Sequence, residues 1–76
     1  MALIHVTVIE GVFTDPKKRE IVERLTDAMV AIEGESMRRH IWCLVEQVGS
    51  GAWGVGGRTL TADDVKALAR SEAATP

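Results

Sequence analysis

Few side chains in this sequence carry reactive chemistry, and most of them lack the company that chemistry needs. His5 and His40 have no Cys, Asp or Glu at a spacing used by zinc sites, so no metal centre is expected. Cys43 is the only cysteine, which excludes an internal disulfide, and its apolar neighbours suit a small buried thiol. His5 lies on a strand-like stretch, where a histidine satisfied by a structural partner is the ordinary outcome. The run GSGAWG at 49–54 matches G-x-G-x-x-G and follows a strand pattern. A phosphate cradle, however, needs a helix opening directly after the glycines and a second nucleotide-binding half. Here VGGR continues as turn or hairpin and little chain remains, so the glycines are expected to form a tight hairpin that brings Trp53 close to something. The amino terminus is left. A strand pattern starting at the second or third residue ties it into a sheet, which is either an economy of a small fold or a way of positioning the terminal amine.

The elements around these residues read in order. Over 3–9, Ile4, Val6 and Val8 share one face while Leu3, His5, Thr7 and Ile9 share the other, the alternation of a strand. Gly11 ends it. FTDPKKRE then starts a helix, with Asp15 expected as N-cap and Pro16 at the first helical position. The helix is expected to run to about Glu33, with Ile21, Leu25, Ala28 and Ile32, joined by Val22 and Met29, as its inward stripe and Gly34 as its C-cap. Lys17, Lys18, Arg19, Glu20 and Glu23 form its wet face. Residues 41–45, IWCLV, are continuously apolar, as for a strand covered on both faces, with Trp42 in a core or an interface. Strand, helix and strand make a β-α-β unit with parallel strands and a right-handed crossover, an α/β fold. A short hairpin is expected over 52–59, followed by a helix in which Thr61 caps and Asp64 completes a capping box. The domain is expected over 1–70, with 71–76 a flexible tail.

Size and charge bound what such a domain can do. A chain of 76 residues buries only about 60% of the surface it exposes when unfolded. One helix covers one sheet face, and the other face and both edges need further protein, so self-association into a dimer-based oligomer is expected. The net charge of −2, with acids and bases interspersed, gives no field to gather phosphates, so nucleic acid is not an expected partner. No apolar stretch approaches the roughly 20 residues of a membrane span, and no leader pattern precedes the first strand. The expected setting is the cytoplasm, with no membrane partner.

HVTVIEG at 5–11 and GAWGVGG at 51–57, in this order and at this spacing, resemble the 4-oxalocrotonate tautomerase family across residues 2–60. The resemblance implies β-α-β subunits that pair into four-stranded sheets and build hexamers as trimers of dimers. It also implies keto–enol tautomerisation of small 2-oxo acids with no cofactor. The family's base is an N-terminal proline exposed by loss of the initiator methionine, and the matching position is Ala2. A primary α-amine, with an ordinary pKa of about 7.7–8.0, could also act as base if desolvated. Retention of Met1 would make the Ala2 nitrogen an amide and leave it without a basic lone pair. The family's two carboxylate-binding arginines fall at Val12 and Ile41, so neither is present. Arg39 is the candidate replacement clamp for a carboxylate-bearing substrate, being two residues from Ile41 and on its face if the strand starts that early. The alternative for Arg38 and Arg39 is a solvated basic pair. Trp53 matches the family's aromatic wall beside the base, where an apolar surface disfavours the ammonium form. Together these imply a tautomerase whose catalytic residues are Ala2, Arg39 and Trp53, or alternatively an inactive member serving as a structural subunit of a homo- or hetero-oligomer.

Overall fold

The computed structural model describes residues 1–73. The order is β1 (Ala2–Ile9), α1 (Asp15–Glu33), a 3₁₀ turn (Glu35–His40), β2 (Ile41–Val48), β3 (Trp53–Val55), β4 (Arg58–Leu60) and α2 (Ala62–Ala73). β1 and β2 form a parallel two-stranded sheet joined through α1, and β3 and β4 form an antiparallel hairpin. The expected β-α-β unit with a C-terminal hairpin and helix is therefore present. Contacts divide the chain into two units. The first holds Met1–Thr7 and Thr14–Glu46, and the second holds Val8–Phe13 and the chain from Gln47 onward.

In the first unit the alternation of β1 is realised. Ala2, Ile4 and Val6 are half-buried, whereas Leu3, His5 and Thr7 are exposed. β2 behaves alike despite its continuous apolar sequence. Ile41 is buried and Cys43 and Val45 are half-buried, but Trp42 remains 62% and Leu44 50% exposed. The expectation of a strand covered on both faces thus fails within this chain, because α1 lies along one face only. Val45 shares a hollow with Lys18, Arg19, Val22 and Glu23 of α1, which puts the helix beside that face.

Two details of α1 differ from the sequence reading. Its N-cap is Thr14 rather than Asp15, with the Thr14 hydroxyl accepting from the Lys17 backbone N–H at 3.4 Å. Asp15 already occupies the first turn, where its carboxylate suits the helix dipole and pairs with Lys18 at 3.0 Å. The inward stripe keeps four of its six expected residues: Ile21, Val22, Leu25 and Met29 are half-buried, whereas Ala28 and Ile32 face outward and Lys18, half-buried, and Val30, buried, join the inner side. Gly34 ends the helix as expected, at φ +106° and with its N–H donating to the Val30 carbonyl.

The 3₁₀ turn that follows is held by Arg38. Its guanidinium donates to both carboxylate oxygens of Glu35, at 2.8 and 3.2 Å, and to Asp27 of α1 at 2.8 Å. That pairing holds the Glu35 carboxyl below its ordinary range.

In the second unit Val8 and Ile9 are buried, and the Glu10 N–H donates to the Val48 carbonyl at 2.7 Å. The hairpin pairs Trp53 with Leu60 and Val55 with Arg58, one residue later than expected. Gly56 and Gly57, at φ +59° and +87°, form its two-residue turn, the positive-φ pair that matches strand twist. The capping box of α2 is present. Asp64 accepts from the Thr61 N–H at 2.9 Å, and the Asp64 N–H donates back to the Thr61 hydroxyl at 3.2 Å. α2 continues through Ala73, so residues 71–73 of the expected tail are helical, and 74–76 lie outside the described residues.

Candidate functional site

The first unit places the chain's beginning against the start of β2. Parallel pairing of a strand that starts at Ala2 with one that starts at Ile41 brings Trp42 beside the terminus. Met1, Ala2, Leu3 and Trp42 line a hollow of about 260 Å³ with apolar side chains alone. Ala2 is half-buried at the first strand position, and Met1 is 81% exposed. The Met1 α-amine lies 3.7 Å from the Glu33 carboxylate at the end of α1. Beside the terminus there is thus an apolar wall and one anionic group.

The two arginines of the 3₁₀ turn have different fates. Arg38 is engaged by Glu35 and Asp27. Arg39 is exposed and makes no hydrogen bond or ion pair with the described residues. It lies in the 3₁₀ turn, not in β2, so the strand alternation that would have put it on the face of Ile41 does not reach it. Ile41 itself is buried and Val12 half-buried.

Trp53 opens β3 in the second unit and is half-buried. Gly51 donates its N–H to the Leu60 carbonyl and Ala52 to the Gly49 carbonyl, which fixes the approach to Trp53. Ala2 and Arg39 therefore belong to one unit and Trp53 to the other. In the second unit, a wider hollow of about 490 Å³ runs between the hairpin and α2, lined in part by Val55, Arg58, Leu60 and Leu68.

His5 has a partner that its own position did not reveal. Its Nε2 lies 2.8 Å from the Glu46 carboxylate across the sheet, and both side chains are largely exposed. Glu33 and Trp42 are the residues near the terminus that sequence reading did not assign to it. Trp42 was accessible only in part, because parallel pairing of strands that start near 2 and 41 puts it at the same end of the sheet as the terminus but does not fix the register. Glu33 was not: the helix end was expected there, but its approach to the terminus depends on how α1 packs across the strands. Among the described residues no group of three or more His, Cys, Asp or Glu could hold a metal ion, and no helix is long and apolar enough to cross a membrane.

The chain is similar to several tautomerases. The family model described as "Tautomerase enzyme" matches residues 3–63. A crystal structure of a 4-oxalocrotonate tautomerase homologue superposes with a TM-score of 0.68 and 31% identity, over 84% of this chain and 95% of that one. A 4-oxalocrotonate tautomerase isozyme structure from Methylibium petroleiphilum gives a TM-score of 0.63 and 26% identity, over 83% and 95% of the two chains. DmpI from Helicobacter pylori shares the fold, with a TM-score of 0.65 and 23% identity over 90% and 96%. No curated protein matches the chain. With its β-α-β unit, its C-terminal hairpin and a family match over most of its length, the chain belongs to the tautomerase family.

Proposed function

We propose that the chain is a subunit of a cofactor-independent keto–enol tautomerase acting on small enol or 2-oxo acids. The amino group of Ala2, freed by removal of Met1, is its proton carrier. The neutral amine accepts the enol hydroxyl proton as the C–O bond becomes a carbonyl, and the resulting ammonium returns a proton to the neighbouring carbon. Atoms and charge balance over the cycle. Arg39, or an arginine of a neighbouring subunit, holds the substrate carboxylate, and Trp53 desolvates the amine. The working particle is proposed to be a homo-oligomer, a hexamer built as a trimer of dimers.

One observation carries this reading beyond family membership: β1 starts at Ala2, so the nitrogen that would be freed lies at an apolar hollow. A second reading, a non-catalytic subunit, is favoured by Val12 and by the buried Ile41 at the two positions where the resemblance places arginines. Ala2→Pro separates the two. With mass spectra showing Met1 absent from both proteins, the proline variant is expected to tautomerise phenylenolpyruvate at least about tenfold faster, a barrier change of about 1.4 kcal/mol. A processed, correctly assembled and still inactive proline variant would establish the non-catalytic reading instead.

A further inference from the structure

The hollow of about 490 Å³ in the second unit shares no residue with the one at the amino terminus. The hairpin supplies one wall. Because Trp53 pairs with Leu60 and Val55 with Arg58, the side chains of Val55, Arg58 and Leu60 leave the same face of the ribbon. α2 supplies the other wall, with Asp64, Ala67, Leu68 and Ser71 at i, i+3, i+4 and i+7 on one helical stripe. The family match ends at residue 63, so this stripe lies beyond it. The volume is that of a small-molecule cleft, for which about 300–1,000 Å³ is usual.

Two opposite charges line this hollow. Arg58 makes no hydrogen bond or ion pair with the described residues. Asp64 uses one carboxylate oxygen to accept from the Thr61 N–H at 2.9 Å, which leaves the other for a ligand. The Thr61 N–H, then its hydroxyl and then the Arg58 charge hold the Asp64 carboxyl below its ordinary value, so it is ionised at neutral pH. The hollow thus offers one cation and one anion with no ion pair between them, beside apolar walls in which Val55 and Leu68 are still 56% and 55% exposed. A simple carboxylate would meet Arg58 but also the like charge of Asp64, and a simple amine would meet the reverse. A zwitterion satisfies both, with its carboxylate taken by the guanidinium and its ammonium by the remaining carboxylate oxygen. The geometry points to this hollow as a binding site for a free α-amino acid whose apolar side chain lies along Val55, Leu60 and Leu68.

Calorimetric titration of the intact chain at neutral pH tests both charges at once. The ligands are L-leucine, isocaproate, which is leucine without its amine, and isoamylamine, which is leucine without its carboxylate. Leucine is expected to bind with a Kd of about 1 mM or below, and each analogue at least about tenfold more weakly. Arg58→Gln should weaken leucine about tenfold and leave isoamylamine unchanged. Leu68→Ala, which removes part of the apolar wall, should weaken leucine about threefold. Absence of leucine binding, an isocaproate affinity equal to that of leucine, or leucine binding that Arg58→Gln leaves unchanged each overturns the inference. So does dissociation of the wild-type oligomer on Leu68→Ala in light scattering, since the hollow would then be a contact between copies. The comparison of the three ligands uses the wild type alone, so it decides even where a variant fails to fold.

Discussion

Arg38 and Arg39 are adjacent and chemically identical, yet one is structural and the other available. Arg38 spends its donors on Glu35 and Asp27, a network on the surface whose contribution to stability is small. Arg39 has no such partner among the described residues. Arg38→Ala is therefore expected to lower the unfolding midpoint slightly, whereas Arg39→Ala should leave it unchanged and raise KM for a carboxylate substrate about tenfold. An Arg39→Ala enzyme with unaltered kinetics would identify the side chain as merely solvated. For Trp53 the discriminating readout is the pH profile. If its ring faces the amine, it disfavours the ammonium form, so Trp53→Ala should raise the apparent pKa of the base. The acid limb of the rate profile would then move to higher pH with the oligomer intact. A loosened oligomer with an unmoved profile would make Trp53 a packing residue.

At the level of elements, caps decide where helices begin, and at α1 the cap is Thr14 where the sequence reading placed Asp15. Thr14→Ala should destabilise the fold by about 0.5–1 kcal/mol in denaturant unfolding, the usual effect of losing a hydroxyl cap. Asp15→Ala, which loses only an exposed ion pair with Lys18 and a favourable dipole position, should do less. The reverse order would restore Asp15 as the cap. At α2, the Thr61 backbone N–H and then its hydroxyl hold the Asp64 carboxyl below its ordinary 3.8. A folded pKa below the unfolded one means a contribution present above about pH 3.8 and lost as pH falls through the lowered value. Asp64→Asn should flatten that part of the acid stability profile, measured as the thermal midpoint between about pH 2 and 5. These elements also mark what was legible in the sequence. Alternation gave both faces of β1, the capping box announced α2, and Gly56-Gly57 announced the hairpin turn, because each is a local rule. The burial of Lys18 and Val30 in place of Ala28 and Ile32 on α1, the 3₁₀ turn that removed Arg39 from β2, and the His5–Glu46 pair were not legible. Each depends on contacts between residues far apart in the chain. At the candidate site, the position of Ala2 followed from the strand pattern, whereas Glu33 beside the terminus depends on how α1, whose end was expected at Glu33, packs against the chain's beginning.

For the whole molecule, the decisive feature is the sheet face that this chain leaves open. Leu3, Trp42 and Leu44 lie on it at 62%, 62% and 50% exposure, with the His5–Glu46 pair among them, and α1 covers the opposite side. A two-stranded sheet also presents unpaired backbone at both edges. Among the described residues only Val8, Ile9, Val30 and Ile41 form the buried hydrophobic core, far less than an independent domain of this size normally needs. Covering the face with further copies supplies the missing burial, and pairing strand edges between two copies gives the closed symmetry that most homo-oligomers adopt. The expected particle is a dimer-built hexamer, which from an 8.2 kDa chain amounts to about 49 kDa. Leu44→Glu tests the face directly, because it puts a second carboxylate near Glu46 and would bury that charge in any contact made there. Light scattering should report the wild type at the hexamer mass and the variant as smaller species at micromolar concentration. Circular dichroism should show the helices retained in those smaller species if the two units fold before they assemble. A wild type that stays monomeric would overturn the assembly, and a Leu44→Glu protein that remains hexameric would move the contact to another face of the chain.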